Sequence, residues 1–335
     1  MEKIIISPSP HIHSGDTIGK NMYGVLIALI PALLVAFYCF GLGALVVTLT
    51  SVVACVFFEY LIQRYLFKRP STIRDGSAIL TGVLLAFNLP SNIPVWIVIL
   101  GALVAIGVGK MTFGGLGNNI FNPALVGRVF LLLSFPVQMT SWPVPKAFPM
   151  TYLDAQTGPT ILSLLRLSDE HVTIINSLIG LTGGSLGEIS VIALLLGLSF
   201  MLIRKIITWH IPISILVTVA VFTGLLFTGV MIHDYQTTGT TDLLTLMVSA
   251  RIYNPLIQLT SGGLLLGAIF MATDYVTSPM SHKGMLLYGF GVGIITSLIR
   301  IFGSYPEGIS FAILIMNGLT PLINTYFKPK RFGGS

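Results

Sequence analysis

The sequence predicts an all-α integral membrane protein of about ten transmembrane helices. Three observations carry this. Of the 335 residues 54% are hydrophobic, only 9% are charged, and apolar runs of about 20 residues recur along the chain. A soluble domain carries about 25% charged residues. The net charge of +6 is therefore no nucleic-acid footprint, and its distribution should report orientation instead. Cys39 and Cys55 lie in apolar runs and form neither a CxxC pair nor a metal-ligand spacing, so both are expected to be packing residues.

Taken in order, residues 1–21 form a polar tail broken by Ser7-Pro8-Ser9-Pro10. His11 and His13 could bind a metal on a strand, but a flexible tail is the simpler reading, and no signal-peptide cleavage pattern follows. Apolar spans are expected at 22–40 and 43–66, divided by Gly41-Leu42-Gly43. A short third span, 76–90, ends in Asn88-Leu89-Pro90, and a fourth covers 93–109. A Gly/Asn-rich segment from Gly109 to Pro123 precedes a fifth span at 124–137. Residues 138–187 form an extramembrane loop. Spans six to ten are expected at 188–203, 207–231, 262–276, 285–302 and 308–327, followed by a tail over 328–335. The chain reads as one polytopic domain over 1–335.

Ten spans place both termini on one side. Fourteen of the eighteen Lys and Arg residues then share that side, leaving Lys146, Arg166, Arg251 and Arg300 on the other. The positive-inside rule puts both termini in the cytoplasm and the 138–187 loop outside. Spans three and eight are both short and Gly-bearing, each followed by a Pro-containing turn, and they run in opposite directions. Two inverted five-helix repeats with short or broken helices are therefore expected, and this architecture favours a site near the midplane.

Two stretches carry candidate chemistry. The first is Asp154-Ala155-Gln156-Thr157-Gly158-Pro159-Thr160, with Ile161, Leu162, Leu164 and Leu165 following. Thr157-Gly158 reads as a turn, Pro159 as the first helical residue, and Thr160 as a member of the first turn. A phosphate on Thr160 would meet unpaired N–H groups and the positive end of the dipole, though from these residues alone a capped surface helix is the simpler reading. The second is the Gly109–Pro123 segment. Gly114, Gly115 and Gly117 allow close backbone approach, while Asn118, Asn119 and Asn122 offer amide donors and acceptors to a planar ligand. A break that satisfies its own backbone is the alternative. Glu59, Asp75, Glu188 and Asp274 fall near span ends and read as structural or capping groups, and Arg74-Asp75 as an exposed ion pair. Arg128 lies inside the fifth run and is expected to snorkel to the cytoplasmic headgroups. Gly289-Phe290-Gly291-Val292-Gly293 has no preceding strand, so Gly289 and Gly293, like Gly263 and Gly267, read as helix-packing positions rather than a dinucleotide loop.

Thr157-Gly158-Pro159-Thr160 resembles the flavin-attachment motif, Ser/Thr-Gly-Ala-Thr, of a family of membrane subunits. The family comprises the D subunit of the Rnf ion-translocating ferredoxin:NAD oxidoreductase and the B subunit of the sodium-pumping NADH:quinone reductase. Ser261–Pro279, Tyr305-Pro306-Glu307-Gly308 and Phe311–Asn317 resemble the Rnf protein as well, so the likeness runs from near residue 7 to near residue 327. Pro159 stands where the family has Ala, which helix sterics permit at this position. The absence of a long N-terminal extension favours the Rnf branch.

The resemblance implies FMN held by Thr160 through a phosphoester bond, with Asp154, Thr157, Gly158 and Pro159 around it. It also implies a second, non-covalent flavin (riboflavin or FMN) in the membrane part, for which Gly114, Gly115, Asn118, Asn119 and Asn122 are the candidates. Expected partners are the other subunits of the complex, a flavin transferase working on the outer side, and the lipid of a bacterial cytoplasmic membrane. The implied role is electron relay coupled to sodium or proton movement. A channel or carrier for a small polar solute is the alternative on the same scaffold.

Overall fold

The computed structural model describes residues 17–69, 71–150, 152–153, 155–167, 183–238, 251–303, 305 and 307–328. His11 and His13, Asp154 and the 328–335 tail beyond Lys328 lie outside the described residues. Among those described the chain is helical, with a single isolated bridge between Pro143 and Thr157 and no strand.

Helix α1, Ile18–Leu61, opens on Thr17, whose side chain accepts from the Lys20 N–H. A continuous helix of this length would be about 66 Å, roughly twice the hydrocarbon thickness of a bilayer. It is not continuous: Gly41 sits at φ 48°, ψ −121°, inside the break expected between the first two spans. The interruption frees carbonyls, and the loop takes them. Lys146 N–H donates to Cys39 O at 2.9 Å, Phe148 N–H to Tyr38 O at 2.8 Å, and Leu42 N–H to Pro149 O at 3.1 Å. A Cβ at Gly41 would lie 2.1 Å from Pro149 O, so only glycine fits there.

Helices α2 (Ser77–Phe87), α3 (Val95–Ile106) and α4 (Pro123–Ser134) complete the first half. A π turn, Gly107–Met111, extends α3. Asn122 caps α4, accepting from the N–H groups of Ala124 and Leu125, and Pro123 takes the first helical position. Short helices α5 (Pro136–Met139) and α6 (Ile161–Leu167) lie in the loop. The second half holds α7 (Val191–Ile203), α8 (His210–Thr238), α9 (Pro255–Thr260), α10 (Leu264–Leu266) with a π turn Gly267–Met271, α11 (His282–Phe302) and α12 (Ile309–Tyr326). Gly289 and Gly293 are packing positions: a Cβ on either would lie 2.7 Å from a Cβ of α8, that of Ser214 or Thr218.

By length and composition, Ile18–Leu66, His210–Thr237, His282–Phe302 and Ile309–Tyr326 can cross a membrane, and four more apolar helices are shorter. Their outward residues, such as Leu49 (62% exposed) and Leu225 (69%), are large and apolar, the surface a lipid solvent selects. This is a multi-pass membrane protein. Cys39 and Cys55 are buried free thiols, as packing residues should be.

Candidate functional site

Two cavities contain or adjoin the expected site residues. The larger is a cleft of about 720 Å³ between α1, α2, the α3 π turn, the start of α4, α7 and the segment after the second π turn. Met22, Leu80, Leu84 and Phe270 give it apolar walls, and Ser77, Lys110, Asn119, Asn122 and Asp274 bring polar groups to it. Asn119 is buried, donates to Phe121 O at 3.2 Å, and leaves its Oδ1 without a partner among the described residues. That orphan acceptor faces a cost of about 1–3 kcal/mol unless a ligand or water donates to it.

Asn122 is the other amide at the cleft, but its groups are committed. Its Oδ1 caps α4, and its Nδ2 donates to Met271 O at 3.1 Å, tying the two halves together. Gly114, Gly115 and Asn118 are not in the cleft lining. Gly114 and Gly115 both adopt φ 104°, so these glycines shape the turn that delivers Asn119.

Beside the cleft lies a buried ion pair that sequence reasoning missed. Lys110 Nζ contacts Glu59 Oε2 at 2.6 Å and Ser77 Oγ at 2.7 Å, with both charged side chains at most 1% exposed. Ser77 donates to Asp75 Oδ1 at 2.6 Å, and Gln63 braces Glu59 and Thr72. Glu59, read from the sequence as a structural or capping group near a span end, is instead the fully buried partner of a lysine. A lysine some fifty residues away supplies the counter-charge, and no local signal in the sequence announces it. Asp75 works through Ser77 rather than as an exposed partner of Arg74.

The smaller cavity, about 320 Å³, is lined by Thr160, Gly183, Gly184, Glu188, Ser261, Gly262 and Glu307 among others. Here the local expectation needs two corrections. Residues 156–158 are extended rather than turned, because Val144 N–H donates to Gln156 O at 2.8 Å and Gly158 N–H to Trp142 O at 2.9 Å. Helix α6 begins at Ile161, so Thr160 is its N-cap and Pro159 precedes it. The Thr160 hydroxyl accepts from Ser163 N–H at 3.3 Å and pairs with Ser163 Oγ at 2.9 Å. Thr160 is mostly buried in this chain, 8% exposed. Thr157, Gly158 and Pro159 are not in the cavity lining, and Asp154 is outside the described residues.

Arg128 does not snorkel. It is 4% exposed, donates from Nη1 to Asn88 Oδ1 at 2.7 Å and Ser310 Oγ at 2.8 Å, and pairs through Nη2 with Glu307. A guanidinium bonded on two nitrogens inside protein gains more than one stretched to headgroups. Arg300 is also buried, donating to Gln258 O at 2.6 Å and Ser261 O at 2.9 Å. Glu188 accepts from Ser185 N–H at 2.8 Å through Oε1, while its Oε2 and the Ser261 hydroxyl have no hydrogen-bond partner among the described residues. Glu188 and Glu307 thus line the Thr160 cavity, with Arg128 paired to Glu307 and Arg300 bonded to the backbone of Ser261, another lining residue. Among the described residues no group of three or more His, Cys, Asp or Glu side chains is arranged to hold a metal.

The family described as NQR2, RnfD, RnfE matches residues 5–333. The chain belongs to this family. Within it, the chain is 42% identical to the D subunit of the Na(+)-translocating ferredoxin:NAD(+) oxidoreductase complex of Acetobacterium woodii, covering 98% of this chain and 95% of the relative. It is 39% identical to the D subunit of the proton-translocating ferredoxin:NAD(+) oxidoreductase complex of Clostridium ljungdahlii, over 98% and 96%. It is 36% identical to the D subunit of the ion-translocating oxidoreductase complex of Stutzerimonas stutzeri, over 95% and 93%. The first two relatives name different ions at nearly equal identity, so likeness at this level does not select sodium over protons.

Proposed function

We propose that this NQR2, RnfD, RnfE family member is the D-type membrane subunit of an Rnf-type ion-translocating ferredoxin:NAD oxidoreductase. Near-full-length identity to subunits of that name carries the reading. The other subunits of the complex are then its partners. The chain is part of an enzyme and not the whole of one.

Ten spans follow if α1 supplies two, on either side of Gly41, and α10 with its π turn supplies the short eighth span matching the short α2. The halves are then inverted five-helix repeats, the termini are cytoplasmic and the Thr160 loop is outside.

In this reading Thr160 bears FMN, attached by a transferase on the outer face. The attachment oxygen already accepts from Ser163 N–H and can do so as an ester oxygen. The buried Arg128 and Arg300 offset the charge that a phosphate brings near Glu188 and Glu307. The second flavin occupies the cleft. Its fit rests on apolar walls for a planar ring and on Asn119 Oδ1 as acceptor for a ring N–H, with the Lys110 ammonium at the polar edge. Bound flavins supply one- and two-electron redox chemistry. The protein positions them, keeps water out and sets the charge around each ring. The channel or carrier reading has no observation of its own.

The test is a denaturing gel of the chain produced with its flavin transferase. A fluorescent band and an intact mass heavier by one FMN are expected, and Thr160→Ala should lose both. A band that survives the substitution moves the attachment elsewhere. An unmodified mass in the native chain ends the proposal.

A further inference from the structure

A third cavity belongs to neither site. It is an open groove of about 1040 Å³ between the first turns of α1 and the last turn of α7, lined by Lys20, Tyr23, Ile27, Ile203, Arg204 and Lys205 among others. Its two chemistries are segregated. Three cations come from the helix ends, and exposed apolar side chains continue from them along the helices: Ile27 at 50% and Ile203 at 79% exposure. Tyr23 (45% exposed) lines the groove and Trp209 (50%) follows Lys205 by four residues, and exposed aromatic residues of this kind are enriched at a membrane–water boundary. The floor is a close approach of α1 to the turn after α7, since a Cβ on Gly24 would lie 2.6 Å from Ile206 Cδ1.

Lys205 is held there against its own preference. Helix α7 ends with Ile206 N–H donating to Met201 O at 2.9 Å and Lys205 N–H to Leu202 O at 3.1 Å. This paired closure places one residue in the left-handed region and favours glycine at it. Lys205 occupies that position at φ 55°. A lysine where glycine is cheaper points to a use for the ammonium. Lys20 adds a second oddity, because a cation in the first turn of α1 opposes the helix dipole.

We propose that the groove is a binding site for the headgroup of an anionic diacyl phospholipid. Lys20, Arg204 and Lys205 receive the phosphate, and one acyl chain lies along Ile27 and Ile203. Charge complementarity favours this occupant over a zwitterionic lipid, and the apolar extension favours it over free phosphate. Basic pockets between helices on the cytoplasmic side have this chemistry, and a basic residue near the surface is worth about a five-fold change in affinity for anionic lipid. Asn21 lines both this groove and the cleft, so the lipid would form part of the cleft's outer boundary.

The test is native mass spectrometry of the full chain released from nanodiscs of equal phosphatidylglycerol and phosphatidylcholine. Wild type should retain phosphatidylglycerol preferentially. Lys20→Gln, Arg204→Gln and Lys205→Gly should each reduce that retention about five-fold. Lys205→Gly relieves the strained φ, so misfolding does not account for its effect. Lys68→Gly, at another left-handed helix end off the groove (φ 51°), should leave retention unchanged. Equal retention of the two lipids overturns the proposal, as does unchanged retention in the three variants. Displacement of phosphatidylglycerol by millimolar inorganic phosphate also overturns it, in favour of a small-anion site.

Discussion

The two buried ion pairs differ in how they are assembled, and the difference separates two kinds of structural job. Lys110 with Glu59 is made within the first half, from α1, the π turn after α3 and the start of α2. Every charged atom there has a partner of moderate sequence separation. Arg128 with Glu307 joins α4 to the approach of α12, across 179 residues, and Asn88 and Ser310 complete it. The first pair shapes one wall of a cleft. The second fastens one half of the molecule to the other, and it leaves Glu188 Oε2 without a hydrogen bond beside Thr160. A complete cluster reads as scaffold, and an incomplete one as a place prepared for something more.

The largest effect should come from Arg128→Met. It strands Glu307, unbalances Glu188 and empties the bonds to Asn88 and Ser310, so a loss of about 3–5 kcal/mol is expected. Thermal unfolding in detergent, followed by a thiol-reactive dye reaching the buried Cys39 and Cys55, measures it. A loss under about 1 kcal/mol would remove the fastening role. Lys110→Met should cost about 3 kcal/mol by the same assay, because Glu59 keeps only the Gln63 amide. The double change Lys110→Met with Glu59→Leu should recover most of that loss, since an apolar pair avoids desolvation. A double variant as unstable as the single one would mean that the lysine is needed beyond its partner. The smallest effect is on ligand. Asn119→Leu removes one acceptor and should lower non-covalent flavin retention about ten-fold, read from the absorption spectrum after gel filtration, with melting little changed.

The apolar helices and the Gly41 break were legible because period and composition are local signals. The glycine pairs of α11 were legible for the same reason. What the sequence concealed was long-range. Arg128 reads as a snorkelling residue until Glu307 is seen beside it, and Glu59 reads as one more group near a span end until Lys110 is. Thr160 was singled out by likeness, but the helix start beside it was placed two positions early, at Pro159 rather than Ile161. Pro159 suits a first helical residue, and the pairing of residues 142–144 with 156–158 that keeps the chain extended is a tertiary fact. Of the second group of candidates, Asn119 reached the cleft with a free acceptor. Asn122 was spent on capping, a use its place before Pro123 announces in retrospect.

The stitching of the 146–149 segment to the break in α1 has a mechanical consequence. Three backbone hydrogen bonds bind that segment to Tyr38, Cys39 and Leu42, and the adjoining strand-like contact continues to within two residues of Thr160. The mount for the threonine is thus bolted to the break in the long apolar helix α1. Anything hung from its oxygen must swing on its own bonds, like a lamp on a fixed bracket, and its reach is measured by the length of the cord.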